Sequence, residues 1–194
     1  MELFHLRVFQ GEVARQCRDG IASAADMQDA YAAMRASGLD RRLRDAESDR
    51  FWRNAQALLV AAANVSKAMW GLRGGKAEQR RPLRESLEVG DDSPLRPTTF
   101  RNHFEHIDQR IDQWWEEDER HNIVNTMIGP QAMVGGLPPI SFFRQFDPAT
   151  QHLLFWSDEF PLPEVIEEIQ RILPIATREA AKPHGQPPSP HPQP

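Results

Sequence analysis

The sequence predicts a mainly α protein: an antiparallel helical bundle with a small β-hairpin appendage and a C-terminal helix. Three observations predict it. Apolar residues recur at helical spacing over long stretches before Arg120. Glycine and proline are sparse within those stretches and crowd together after Arg120. β-leaning residues gather in one place, about 140–157. The chain has 194 residues, which is enough to bury a substantial core.

The first helix is expected over Leu3–Ala36, in one piece or broken near Gly20. Leu6, Phe9 and Val13 share a face, as do Met27, Tyr31 and Met34. A second helix is expected over about Ser48–Leu72. Phe51, Ala55, Leu58, Leu59, Ala62, Val65 and Met69 form one stripe wide enough to face a core. Ala61-Ala62-Ala63 would let a neighbouring helix approach closely. Gly74-Gly75 is a natural stop. A short helix is expected near Leu83–Leu87, with Pro82 in its first turn.

The third long helix is expected over about Thr98–Glu119. Phe100, Phe104, Ile107, Ile111 and Trp114 form a heptad-like seam that should face another helix. The acidic run Glu116–Glu119 opposes the helix dipole, so fraying is expected there. Ile140–Phe146 and His152–Ser157 flank the turn sequence Asp147-Pro148-Ala149-Thr150 and read as a hairpin. A short amphipathic helix follows at Glu164–Leu173. The expected organisation is therefore one helical domain over 1–173, with the hairpin inside it, and a Pro-rich disordered tail over 174–194. From Lys182 onward the chain has six prolines and no aromatic or β-branched residue, too little to build a packed core.

Composition excludes several classes. Apolar residues make up 40% of the chain, too many for wholesale disorder. The longest apolar run, Ala57–Ala63, is far shorter than the roughly 20 residues that span a bilayer. No membrane association is expected. Cys17 stands alone and can form neither an internal disulfide nor a cysteine-built zinc site. Met1–Phe9 lacks the pattern of a secretory leader, so a cytoplasmic location is expected. The net charge of −5 gives no global basic field for nucleic acid. Locally, Arg73, Lys76, Arg80, Arg81 and Arg84 face one acid, Glu78. That stretch reads either as a solvated surface or as a phosphate-attracting patch, with Lys76 and Arg80 as candidate substrate-binding residues.

The chemistry-bearing segment is Arg101-Asn102-His103-Phe104-Glu105-His106. Arg101 and Glu105 could form a plain i,i+4 ion pair on a solvated face. His103, Glu105 and His106 could be imagined around a metal, but a di-iron bundle needs paired Glu-x-x-His helices. No metal or other cofactor is expected. Trp115 falls at the edge of the seam toward Arg101, where a base could stack on it.

Arg101-Asn102, three residues, then His106 resembles the signature of HEPN domains, the higher eukaryotes and prokaryotes nucleotide-binding superfamily. The text around it, Phe100–Trp114, is similar to a bacterial branch of that superfamily, as are Ala61–Lys67 and Phe143–Trp156. The resemblance covers about Phe51–Leu173. It implies a helical bundle whose motif helix lines a cleft, commonly at a two-fold interface. It also implies a metal-independent endoribonuclease of toxin or defence type, or a relative that has lost activity. By position, Arg101 would hold the scissile phosphate, Asn102 would orient it or His106, and His106 would move protons for the ribose 2′-hydroxyl.

Those residue types suit the reaction. A histidine can both accept and donate a proton near neutral pH. A guanidinium stays charged and can clamp two phosphate oxygens. On a straight helix, however, positions five apart diverge by about 140°. Convergence needs a folded-back arginine, a local bulge or a second copy of the chain. A homodimer is therefore expected; the resemblance implies an RNA substrate and an antitoxin-like protein partner. The other reading is a catalytically inactive helical module that binds a nucleotide, an RNA or a protein.

Overall fold

The computed structural model describes residues 1–38, 40–71, 75–96, 107–155 and 158–183. The fold is mainly α, with a small sheet. The chain divides into two compact units, Met1–Pro97 with Ile166–Pro194, and Thr98–Val165.

The first unit is built on two long helices, α1 (Leu3–Ala36) and α2 (Arg41–Trp70). α1 runs through Gly20 without a break. α2 begins seven residues before the expected Ser48, because Asp40 caps it: its Oδ1 accepts from the Leu43 amide at 3.2 Å. The first turns carry charge and lack an apolar stripe, so periodicity alone misses them. Arg50 meets Asp26 and Asn64 meets Gln16, so the two helices run antiparallel. Val13, Cys17, Phe51, Leu58 and Met69 are almost wholly buried. Each large side chain among them contributes about 1.5–3 kcal/mol by leaving water.

Gly20 permits the closest approach. A Cβ there would lie 2.9 Å from Ile169 Cδ1 and 3.4 Å from the Ala61 Cβ. The alanine-rich middle of α2 is thus where α1 comes in. Two short helices follow, α3 (Lys76–Gln79) and α4 (Arg81–Ser86), with Pro82 in the first turn of α4. Arg80 joins them into an elbow. Its amide donates to the Lys76 and Ala77 carbonyls, and its own carbonyl accepts from Leu83 and Arg84.

The C-terminal helix carries Ile169, Ile172 and Ala176 into the core of this unit, each fully buried. A polar chain also lies inside. Arg7 reaches Glu179 at 3.4 Å and Gln10 at 2.8 Å, and Gln10 donates to Ser86 Oγ. Lys182 Nζ closes on Glu179 at 2.7 Å. Arg7 and Glu179 are nearly inaccessible. Burying them is tolerable only because each is paired.

The second unit begins, among its described residues, with α5 (Ile107–Glu117). The helix ends where the acidic run begins to matter. Asp118 is buried and turns the chain. Its carboxylate accepts from the Arg120 and Asn122 amides and from Ser141 Oγ. Of the expected seam, Phe100 and Phe104 lie outside the described residues. Trp114 meets Phe143 edge-on at 5.5 Å and donates to the Asn122 carbonyl, while Ile111 is exposed.

The sheet has four strands in the order β1 (Met127–Ile128), β2 (Gln145–Asp147), β3 (His152–Phe155) and β4 (Asp158–Pro161). β1 runs parallel to β2; β2–β3 and β3–β4 are antiparallel. Phe146, Leu153 and Phe160 are register partners and all buried, which gives the sheet its apolar row. The sequence reading is corrected in extent, since the outer strands β1 and β4 flank the expected pair.

The last helix, α6 (Leu162–Ala180), is longer than the expected Glu164–Leu173 and passes through the boundary placed at 173. Pro174 lies inside it. Pro174 and Gln170, whose carbonyl loses its amide partner, are both exposed, so water can replace the missing bond. Residues 184–194 of the expected tail lie outside the described residues.

Candidate anion-binding site

The basic stretch after α2 separates into distinct roles. Arg84 is buried and donates from Nη1 to the carbonyls of Met69 and Ala77. It fastens the elbow to the end of α2. Arg81 is exposed and pairs with both acids in reach, Glu78 at 3.6 Å and Glu85 at 3.1 Å. Arg73 lies outside the described residues. Lys76 and Arg80 remain, and they line one cavity.

That cavity has a volume of about 260 Å³ and is lined by Met1, His5, Lys76, Gln79 and Arg80. Gly71 makes the position of Lys76 possible. Gly71 has φ +71°, and a Cβ there would lie 2.5 Å from the Lys76 Cβ. A side chain at 71 would therefore displace Lys76. Lys76 Nζ donates to Gln79 Oε1 at 3.1 Å, a neutral partner that leaves its charge uncompensated among the described residues. Arg80 lies over the ring of Phe9, with its guanidinium carbon 3.6 Å from the ring centre. His5 sits one turn before Phe9, its ring 4.9 Å from the phenyl. Arg80 Nε is buried without a hydrogen-bond partner. Burial pulls the Arg80 guanidinium below its ordinary range, since a charged group loses hydration there.

No carboxylate lines the cavity among the described residues. A concave site with imidazole, ammonium and guanidinium donors can hold an anion through charge-assisted hydrogen bonds. His5, Phe9 and Gln79 carry no signal for this in the sequence. Some 70 residues separate His5 from the elbow, and only the packing of the first unit brings them together.

The other candidate residues divide differently. Arg101, Asn102 and His106, the proposed catalytic set, lie outside the described residues, as do His103 and Glu105. Trp115 lies on α5 in the second unit and is 60% exposed. His121 stacks on it, ring centres 3.8 Å apart and planes 16° from parallel, and a His121 ring nitrogen lies 3.0 Å from the Trp115 carbonyl oxygen. His121 holds φ +49° to do so. Trp115 thus offers an ordered, exposed aromatic surface.

Other reactive groups are quiet. Cys17 is wholly buried, and burial, with Glu168 adding to it, pushes its thiol up to about 12. Such a thiol is a poor nucleophile at neutral pH. Ser66 is buried as well. Among the described residues no three His, Cys, Asp or Glu side chains converge on a point that could hold a metal ion. None of the described helices is long and apolar enough to cross a membrane. Comparison with family models, curated proteins and solved structures finds no match.

Proposed function

We propose that the chain is a HEPN-like, metal-independent RNA endonuclease of toxin or defence type. In this reading it folds as an antiparallel bundle with a hairpin appendage and acts in the cytoplasm as a homodimer, with an antitoxin-like protein as partner. The observation that carries the reading is the run Arg101-Asn102-x3-His106. Support comes from Lys76 and Arg80, which have no carboxylate partner among the described residues, and from the exposed indole of Trp115.

The chemistry needs only side chains and RNA. The His106 imidazole takes the proton from a ribose 2′-hydroxyl. The 2′-oxygen attacks the adjacent phosphorus, and the bond to the 5′-oxygen breaks. The departing 5′-oxygen takes up a proton, which leaves a 2′,3′-cyclic phosphate and a 5′-hydroxyl. Arg101 holds the non-bridging oxygens as charge builds on them. Asn102 orients the phosphate or His106. DNA lacks the nucleophile and is not cut.

The second reading is an inactive module that binds a nucleotide, an RNA or a protein. The net charge of −5 favours it, because a nuclease gripping a long polyanion gains from a basic surface. One experiment separates the two. The protein, Arg101→Ala and His106→Ala are each incubated with mixed RNA in EDTA. The nuclease reading expects cleavage by the native protein, cyclic-phosphate ends, and a loss of at least about a hundredfold in each variant. Equal background in all three proteins supports the inactive module.

A further inference from the structure

We propose that the cavity bounded by His5, Lys76, Gln79 and Arg80 is a binding site for a phosphate monoester borne on a group the size of a pentose. The cavity belongs wholly to the first unit and needs no part of the nuclease chemistry.

Charge gives the first reason. The acids nearest Lys76 and Arg80 in sequence, Glu78 and Glu85, are already held by Arg81. Among the described residues Lys76 has only the amide of Gln79, and the Arg80 guanidinium has the face of Phe9. Among the described residues neither cation has an acidic partner, and an anion in the cavity would supply one.

Stoichiometry gives the second. A phosphate monoester carries a charge of about −1.5 to −2 at neutral pH and presents three strong acceptor oxygens. Imidazole, ammonium and guanidinium groups on two walls of one cavity match that number. A carboxylate, with one charge and two oxygens, would leave a cation uncompensated.

Size gives the third. The volume of about 260 Å³ lies just below the roughly 300–1,000 Å³ of sites for drug-sized ligands. A phosphate with one sugar ring fits such a space, and a dinucleotide does not. The Met1 side chain supplies apolar surface on which the sugar can rest.

Calorimetric titration of the full chain tests the site, with ribose 5-phosphate as probe and ribose, gluconate and inorganic phosphate as comparators. Saturable binding of ribose 5-phosphate is expected, with none for ribose or gluconate and weaker binding for inorganic phosphate. Lys76→Gln and Arg80→Gln should each raise Kd about tenfold, and the double variant should abolish binding. Lys76 is exposed and, among the described residues, bonded only to Gln79, so its variant reports on the ligand rather than on folding; circular dichroism checks both. Absence of ribose 5-phosphate binding below about 10 mM would overturn the site. So would equal binding of gluconate, or affinity unchanged in both variants. Inorganic phosphate binding as tightly as the sugar phosphate would overturn the pentose assignment. RNA cleavage by the Arg101 and His106 variants bears on the nuclease reading alone, so either proposal can fail without the other.

Discussion

Asp118 stands in a run of four acids, Glu116–Glu119, yet it alone is buried. Its carboxylate gathers the Ser141 hydroxyl and two backbone amides just past the end of α5. Those hydrogen bonds, Ser141 foremost, hold it below the usual aspartate range. A carboxylate lowered on folding adds stability above its unfolded value of about 3.9, and loses that contribution as pH falls through the lower folded value. Asp118→Asn should therefore lower the melting temperature at pH 7. The gap to the native protein should narrow as the pH drops below 4, which thermal melts across that range would measure. Glu168 shows the same balance in the first unit. Burial pushes it up, but hydrogen bonds from Arg171 and Ser93 prevail and leave it lowered. Sequence could show an acidic run at a helix end; it could not show which acid turns inward, because Ser141 lies 23 positions away.

At the scale of elements, Gly20 is the instructive position. A glycine within a helix costs about 1 kcal/mol relative to alanine, so in sequence it reads as a break. Here it is retained because Ile169, Ala61 and Leu58 crowd the space a side chain would fill. Gly20→Val should destabilise the protein by about 1–3 kcal/mol through overpacking, measurable by urea unfolding. Helix existence was legible wherever an apolar stripe met a core, as from Phe51 to Met69. Ends were not, where the deciding groups were local: the Asp40 cap, and Pro174 with its solvent-facing neighbour Gln170. The outer strands were hidden for another reason. β1 pairs in parallel with β2 across an intervening stretch of 16 residues, from Gly129 to Arg144, and no turn signal announces such a partner. β4, Asp158-Glu159-Phe160-Pro161, has one buried side chain, Phe160.

At the scale of the whole molecule, the proposed two-fold pairing of Arg101 with His106 requires two chains. Light scattering behind size-exclusion chromatography should return twice the chain mass of 22.2 kDa at micromolar concentration. A value of one chain mass would remove the shared site from the nuclease reading. Of the candidate site, sequence gave notice of Lys76 and Arg80 through local charge, and no notice of His5 or Phe9, which reach the elbow only through tertiary packing. Charge imbalance is a local property of a string; concavity is not.

The paired ends of the first unit carry a consequence for biosynthesis. Arg7 finds Glu179 across 172 positions, and Gly20 receives Ile169 from the same late helix. As the nascent polypeptide leaves the ribosome, the earliest helices must wait for the intervening 68 residues, 98–165, to be translated. At ordinary elongation rates that delay is on the order of several seconds. During it the surface around Gly20 stays open to chaperones, until Ile169 arrives on the last helix and covers it.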